Sequence, residues 1–170
     1  MNKTHKLIVA ALLTALVTLA TMAFQVPIPA TKGYINLGDT VIFVAALLLG
    51  PRYGAVAGGI GSALADLLSP YAVWAPFTLI IKGLEGFIVG YVFYRLFSGK
   101  NSMVTRITAM LLGGLWMAVG YFAAEVILYG LPAALVELPG NAIQALGSAA
   151  LALPVVEVLS RVNALKNMNN

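Results

Sequence analysis

The sequence predicts an all-α membrane protein: six transmembrane helices in a single domain spanning residues 1–170, with both termini in the cytoplasm. Three observations predict it. First, 61% of the 170 residues are hydrophobic and only 9% are charged, against about 45–50% apolar and about 25% charged in soluble domains. A soluble fold of this size cannot hide that much apolar surface, so lipid is the solvent for most of it. Second, the apolar residues fall into six segments separated by turn-forming residues. Third, lysine and arginine are distributed asymmetrically among the connections between those segments.

The segments follow in order. A bilayer core asks for roughly 20 apolar residues per helix, with a range of about 17–25. The first span runs from about Leu7 to Phe24 and stops at the loop VPIPATKGYINLGD. The second, about Thr40 to Leu49, is short and ends at Gly50-Pro51. The third, about Tyr53 to Leu68, is rich in glycine and alanine, and together with the second it also fits a bent hairpin that does not fully cross. The fourth runs from about Pro76 to Phe97, the fifth from Ile107 to Tyr129, and the sixth from Asn141 to Leu159.

With the N-terminus inside, Lys3, Lys6, Arg52, Arg95, Lys100, Arg106, Arg161 and Lys166 are all cytoplasmic. Only Lys32 lies outside, and Lys82 lies within a span. That is the positive-inside pattern. It accounts for the net charge of +4 without nucleic acid as a partner. The N-terminus, with Lys3 and Lys6 before an apolar run and small residues near Ala23, also has the layout of a signal peptide. Cleavage would put the remaining spans out of register with the charges, so the first span is expected to stay.

This topology places most of the acids at one depth. Asp39, Asp66, Glu85, Glu125 and Glu137 all fall in the outer half, the last in a loop before the sixth span. Lys82 joins them, as do Asn141 and Gln144 at the start of the sixth span. A charge at the bilayer centre costs about 2.5–3.5 kcal/mol on insertion scales, and such residues by default face a watered cavity on a substrate path. Thr78, Lys82 and Glu85 share one helix face. A simpler account pairs Lys82 with Glu85 or Asp66 to hold helices together, which is compatible with a site. Asp66 and Glu125 are also shallow enough to reach the interface. Asp39 fits a helix cap or an Asx-type closure of the first loop equally well. Glu157, four residues before Arg161, suits an i,i+4 pair at the cytoplasmic end.

Tyr34, Tyr71, Trp74 and Tyr129 match an outer aromatic belt, and Tyr53, Tyr91 and Tyr94 an inner one. Tyr71 and Trp74 also sit above the polar cluster, where they can stack on a flat ligand, while Trp116 reads as packing. Small residues at four-residue spacing bring helices close in lipid. Gly54 and Gly58, and Gly86 and Gly90, read as internal contacts; Ala11 and Ala15, flanked by Ala10 and Thr14 on a helix without charge, can face another protein.

Several chemistries are excluded by sequence. With no cysteine there is no disulfide or thiolate metal site, and the single His5 lies outside the spans. There is no phosphate-binding loop of the G-x-x-x-x-G-K-[ST] type, since Gly99-Lys100-Asn101 lacks the leading glycine and the hydroxyl, and no H-E-x-x-H or G-x-S-x-G. The chain therefore reads as neither an enzyme nor an ATPase, with no cofactor and no metal site.

The runs GYINLGDTVIFVAALLLGPRYGAVAGGIGSALADLL (Gly33–Leu68) and APFTLIIKGLEGFIVG (Ala75–Gly90) resemble the substrate-binding S components of energy-coupling factor (ECF) transporters, in the riboflavin-type or hydroxymethylpyrimidine/pyridoxine-type subfamily. The resemblance implies capture of a vitamin near the outer face of a bacterial cell membrane, under a lid formed by the first loop, Val26 to Asn36. It also implies docking of Ala11 and Ala15 on a membrane scaffold subunit, with two cytoplasmic ATPases driving release inward. The substrate-binding candidates are then Asn36, Asp39, Asp66, Tyr71, Trp74, Lys82, Glu85, Glu125, Asn141 and Gln144. The acid excess disfavours an anionic cargo and suits a neutral or weakly basic aromatic ring with hydroxyls: pyridoxine or hydroxymethylpyrimidine first, riboflavin next. The alternative is a stand-alone secondary transporter or channel, a class often built from inverted repeats; the two three-span halves show no convincing similarity.

Overall fold

The computed structural model describes residues 3–98 and 102–161, without the Arg161 side chain; Lys100 and Lys166, both expected to be cytoplasmic, lie outside the described residues. Six helices follow one another: α1 (Lys3–Ala23), α2 (Gly38–Leu49), α3 (Pro51–Leu67), α4 (Ala75–Tyr91), α5 (Met103–Tyr129) and α6 (Leu131–Arg161). A short antiparallel hairpin, β1 (Val26–Ile28) and β2 (Gly33–Ile35), joins α1 to α2 with Val26 opposite Ile35 and Ile28 opposite Gly33. The first loop is thus a built ribbon. Its strands are three residues each and contain Pro27, too short for an alternating pattern to register in the sequence.

Among the described residues, four helices are long and apolar enough to cross a bilayer: α1, the run Ala72–Leu96 centred on α4, α5 and α6. The 12-residue α2, at about 1.5 Å per residue, reaches only about 18 Å. It meets α3 at Gly50, whose φ of 88° lies in the left-handed region that favours glycine. The Gly50 N–H closes α2 on the Ala46 carbonyl at 3.0 Å, and Pro51 opens α3 where a helix lacks an N–H partner anyway. The pair forms a bent hairpin of helices inside the bundle.

Expected and observed boundaries differ most at α6, which begins ten residues before Asn141. Pro139-Gly140 resembles a turn, but in a membrane helix the bond freed by proline is tolerated. The connection from α5 is Gly130 alone, with φ 85°, and Pro132 occupies the first turn of α6. Glu137 therefore stands on a helix, not in a loop. Gly140 also makes room for the ribbon, since a Cβ there would lie 2.9 Å from the Ile35 side chain. At the other end α4 widens into a single i→i+5 turn, with Phe97 N–H on the Val92 carbonyl at 3.1 Å. Ser102 caps α5 by accepting from Thr105 N–H at 3.2 Å.

Packing is inside-out relative to a soluble protein. Leu12, Val104 and Ile127 are among many large apolar side chains more than 60% exposed, as a lipid-facing surface requires. The apolar core, built on Phe43, Leu47, Val89, Phe93, Met110 and Val156, fills the half of the bundle away from the ribbon. Along α3 and α4 the backbones nearly touch. A Cβ on Gly54 would meet the Gly86 carbonyl at 2.7 Å, one on Gly90 would meet Pro51 N at 2.5 Å, and one on Gly58 would run into the Lys82 carbonyl. Small residues permit this approach, and van der Waals packing holds it.

Candidate functional site

Every helix except α1 contributes a buried ionisable or amide side chain to the ribbon end of the bundle. At its centre, Lys82 of α4 donates to Asp39 Oδ1 of α2, and its ammonium lies 3.2 Å from Glu85 Oε2 one turn further along α4. Lys82 is 1% exposed, and Asp39 and Glu85 are 0%. The partner expected for Lys82 was Glu85 or Asp66. Glu85 is one of two, Asp39 is the other, and Asp66 bonds elsewhere. The Lys82 ammonium also sits 5.4 Å above the Tyr121 ring, within cation–π range.

Asp39 neither caps α2 nor closes the loop. The first residue before α2, Leu37, makes no side-chain cap bond, and the loop is closed by Asn36, whose Oδ1 accepts from Gly38 N–H at 2.8 Å. The second oxygen of Asp39 accepts from Gln144 Nε2 at 2.8 Å, and Gln144 Oε1 in turn accepts from Asn36 N–H at 2.7 Å. One continuous chain of bonds therefore runs from the base of the ribbon through α6 and α2 to Lys82.

The ribbon is tied down at three further points. Tyr34 donates its phenol to Asp66 Oδ1 at 2.5 Å, Thr31 donates to Glu137 Oε2, and Trp74 Nε1 donates to the Lys32 carbonyl at 3.1 Å. Burial, then the Asp66 carboxylate, push the Tyr34 phenol far above its ordinary value, so it remains a donor. Lys32, with φ 51°, turns its carbonyl toward the indole. Tyr71 stacks beside Tyr34 with ring centroids 4.2 Å apart.

Beneath the ribbon lies a narrow cavity with about 20 Å³ of free space. Six of the ten sequence candidates line it: Asn36, Asp66, Trp74, Lys82, Asn141 and Gln144. Asp39, Glu85 and Glu125 stand behind this wall, the last accepting from Asn141 Nδ2 at 3.3 Å. Glu125 and Asp66 are 0% and 1% exposed, so neither reaches an interface. Tyr71 lies outside the wall, against the ribbon. Lining residues absent from the candidate set are Thr21, Gly33, Tyr34, Ser62, Thr78, Tyr121 and Glu137. Tyr121 could have been found from its spacing, four residues before Glu125 on α5. Trp116 packs and donates to the Ile81 carbonyl at 3.1 Å.

At the far end, Glu157 accepts from Arg106 Nη1 at 2.6 Å across α5 and α6; the expected partner, the Arg161 side chain, lies outside the described residues. Ala11 and Ala15 face outward on α1, the least buried long helix: 17% of its most apolar stretch is buried, against 44% for Ala72–Leu96.

The family model described as "ECF-type riboflavin transporter, S component" matches residues 1–161. This chain belongs to the ECF transporter S components. S components are membrane transport proteins for vitamins, not enzymes. The chain is 31% identical over 161 residues to the thiamine precursor transporter HmpT of Lactococcus lactis subsp. cremoris (strain MG1363), covering 94% of this chain and 90% of that one. It is 45% identical over 130 residues to an uncharacterised protein from the gap 3′ region of Pyrococcus woesei, covering 76% and 84%. Relatives thus occur in archaea as well as bacteria, which widens the expected bacterial membrane to a prokaryotic one. Among solved structures, the S component of a bacterial ECF transporter superposes with a TM-score of 0.71 at 18% identity, covering 94% of this chain and 97% of that one. The S component for biotin from an ECF-type ABC transporter superposes at 0.61 and 21% identity, covering 92% and 95%. The six-helix S-component fold is therefore established, with four long membrane spans and the α2–α3 pair between them.

Proposed function

We propose that this S component captures hydroxymethylpyrimidine or a similarly small one-ring vitamin such as pyridoxine in the cavity beneath the ribbon, and hands it inward through a scaffold subunit driven by two ATPases. The observation that carries this reading is the cavity itself. Its wall combines carboxylates at Asp66 and Glu137 with aromatic faces at Tyr34, Trp74 and Tyr121. Lys82 is already engaged by two carboxylates, so the wall offers little to an anionic cargo and much to a neutral or weakly basic ring. The space enclosed there is narrow, about 20 Å³, which favours one ring over the three fused rings of a flavin. The likeness to a thiamine precursor transporter supports the same choice, while the description of the family model keeps riboflavin as the runner-up.

The basic residues Lys6, Arg52 and Arg95 around the end away from the ribbon support a cytoplasmic position for that end under the positive-inside rule, with the ribbon facing outward and both termini inside. The exposed Ala11–Ala15 face of α1 then serves as the scaffold-docking surface. Purified protein screened by thermal shift against B vitamins and their precursors tests the substrate: stabilisation by hydroxymethylpyrimidine or pyridoxine at micromolar concentration is expected. Stabilisation by riboflavin alone would transfer the assignment to the flavin. Ion-driven uptake in vesicles holding this chain by itself would replace the S-component cycle with secondary transport.

A further inference from the structure

Three buried polar atoms on one side of the cavity keep unused hydrogen-bonding capacity: Thr21 Oγ1 on α1, and Ser62 Oγ and Asp66 Oδ2 on α3. Their residues are 1%, 2% and 1% exposed, and all three line the cavity. Leaving a buried polar group unpaired costs about 1–3 kcal/mol, more for a charged one, so three around one space call for an account. Their placement is fixed by neighbours. Thr18 donates to the Gly61 carbonyl at 2.8 Å, which pins α1 to α3 one residue before Ser62 and one turn before Thr21. Ser62 and Asp66 are four residues apart and share a helix face. The other oxygen of Asp66 is held by Tyr34 at 2.5 Å, which aims Oδ2 away from the ribbon; the Thr78 hydroxyl accepts from Tyr121 and turns its own hydrogen to the same carboxylate, whose remaining lone pairs are open to a ligand.

We infer that Thr21, Ser62 and Asp66 form a recognition subsite for the edge of an aromatic heterocycle on which an amino group adjoins a ring nitrogen. The inference rests on the vitamin-binding reading above and narrows it. A carboxylate oxygen only accepts, so it takes an N–H of the amino group. A hydroxyl one helical turn away both donates and accepts, so Ser62 donates to the adjacent ring nitrogen, and Thr21 takes up a second N–H or a ring substituent from the facing helix. Hydroxymethylpyrimidine presents that edge. Pyridoxine, which lacks the amino group, does not. The flavin ring, whose imide N–H lies between two carbonyls, sets a second acceptor where the subsite has its carboxylate. Sites built on buried hydrogen-bonding groups reject analogues that leave those groups unpaired by far larger factors than apolar pockets reject a missing methylene.

The test measures the affinity of the full-length purified protein for hydroxymethylpyrimidine and for its deaminated analogue, in which a ring carbonyl replaces the amino group. Wild type is expected to prefer the amino compound by at least about tenfold, the range of a hydrogen bond to a charged group. Asp66→Asn keeps an acceptor for Tyr34 but can turn an N–H₂ toward the ligand, so the preference should shrink to near unity or reverse. Ser62→Ala and Thr21→Val, which remove the hydroxyls with little change of shape, should each weaken the amino compound severalfold, and they carry the test if Asp66→Asn does not fold. Equal wild-type affinity for both compounds, or an unchanged ratio in all three variants, overturns the subsite. Failure of wild type to bind hydroxymethylpyrimidine, with another vitamin bound instead, overturns the substrate reading itself, and the subsite with it.

Discussion

The two ends of the bundle solve opposite electrostatic problems. At the ribbon end an ammonium is enclosed with two carboxylates, the side chains of Lys82 and Asp39 being 2% and 0% exposed. At the other end Arg106 meets Glu157 at 2.6 Å, but the glutamate side chain is 47% exposed. There, Lys6, Arg52 and Arg95 rim an open cleft of about 510 Å³ around Gly50. A basic rim beside a membrane surface keeps its water and its anionic lipid neighbours and needs no protein counter-charge. Enclosed charges have neither, so each must be matched inside the protein, and the desolvation penalty can exceed the gain from pairing. A fold that carries such a cluster away from water does so for something other than stability. The chain of bonds from Lys82 through Asp39 and Gln144 to Asn36 indicates what that is, since it ties the floor of the cavity to the base of the ribbon.

The contrast can be broken most forcefully at Lys82. Lys82→Met strands two buried carboxylates and should lower stability by about 3–5 kcal/mol, read as a large fall in the midpoint of thermal unfolding in detergent. Adding Asp39→Asn and Glu85→Gln should recover much of that stability while leaving vitamin binding lost. An unchanged midpoint in the single variant would mean the three groups are not held as charges. Tyr34→Phe comes next. It removes one bond to a carboxylate, so the ligand should dissociate about tenfold faster, measured by displacement with unlabelled vitamin; equal rates would show that the Tyr34–Asp66 bond does not hold the ribbon down. At the opposite end, Glu157→Gln should cost clearly less than Lys82→Met, because the glutamate is 47% exposed and the Arg106 guanidinium keeps Ser160 Oγ as an acceptor, and a loss as large as that of Lys82→Met would erase the distinction between the ends. Smallest in its effect on binding is Ala11→Leu with Ala15→Leu. Affinity of the isolated protein should stay at the wild-type value while uptake in cells or reconstituted vesicles disappears, and a weakened affinity would remove α1's outer face as the docking surface.

What could be seen in the sequence follows from how unusual each residue is in an apolar run. Lys82 and Glu85 stand out within APFTLIIKGLEGFIVG because nothing in lipid tolerates them casually; Lys82 lines the cavity and Glu85 stands behind it. Thr21 and Ser62 gave no such signal. Threonine in a membrane helix commonly satisfies itself on its own backbone, as Thr14 does with the Ala10 carbonyl at 2.8 Å, so a hydroxyl with no partner looks like one that has one. Asp39 is visible as a candidate, but its bond to Lys82 is not, because partners on separate helices depend on helix rotation rather than spacing. Pro139-Gly140 misled for a reason tied to the solvent: the pair ends helices in water, whereas here it notches α6 so that the ribbon can seat. Tyr34 resembled a belt tyrosine because its depth is the same in either role.

The glycine seam between α3 and α4 makes the rear partition of the chamber inextensible. With Gly58 and Gly59 already at contact distance from the Lys82 and Leu79 carbonyls of the facing helix, the partition cannot be thickened by a side chain. Descendants of this scaffold that changed diet would have had to remodel the mouth and the α1 flank instead. Sequence drift among relatives with different nutrients should therefore concentrate there and leave the seam alone.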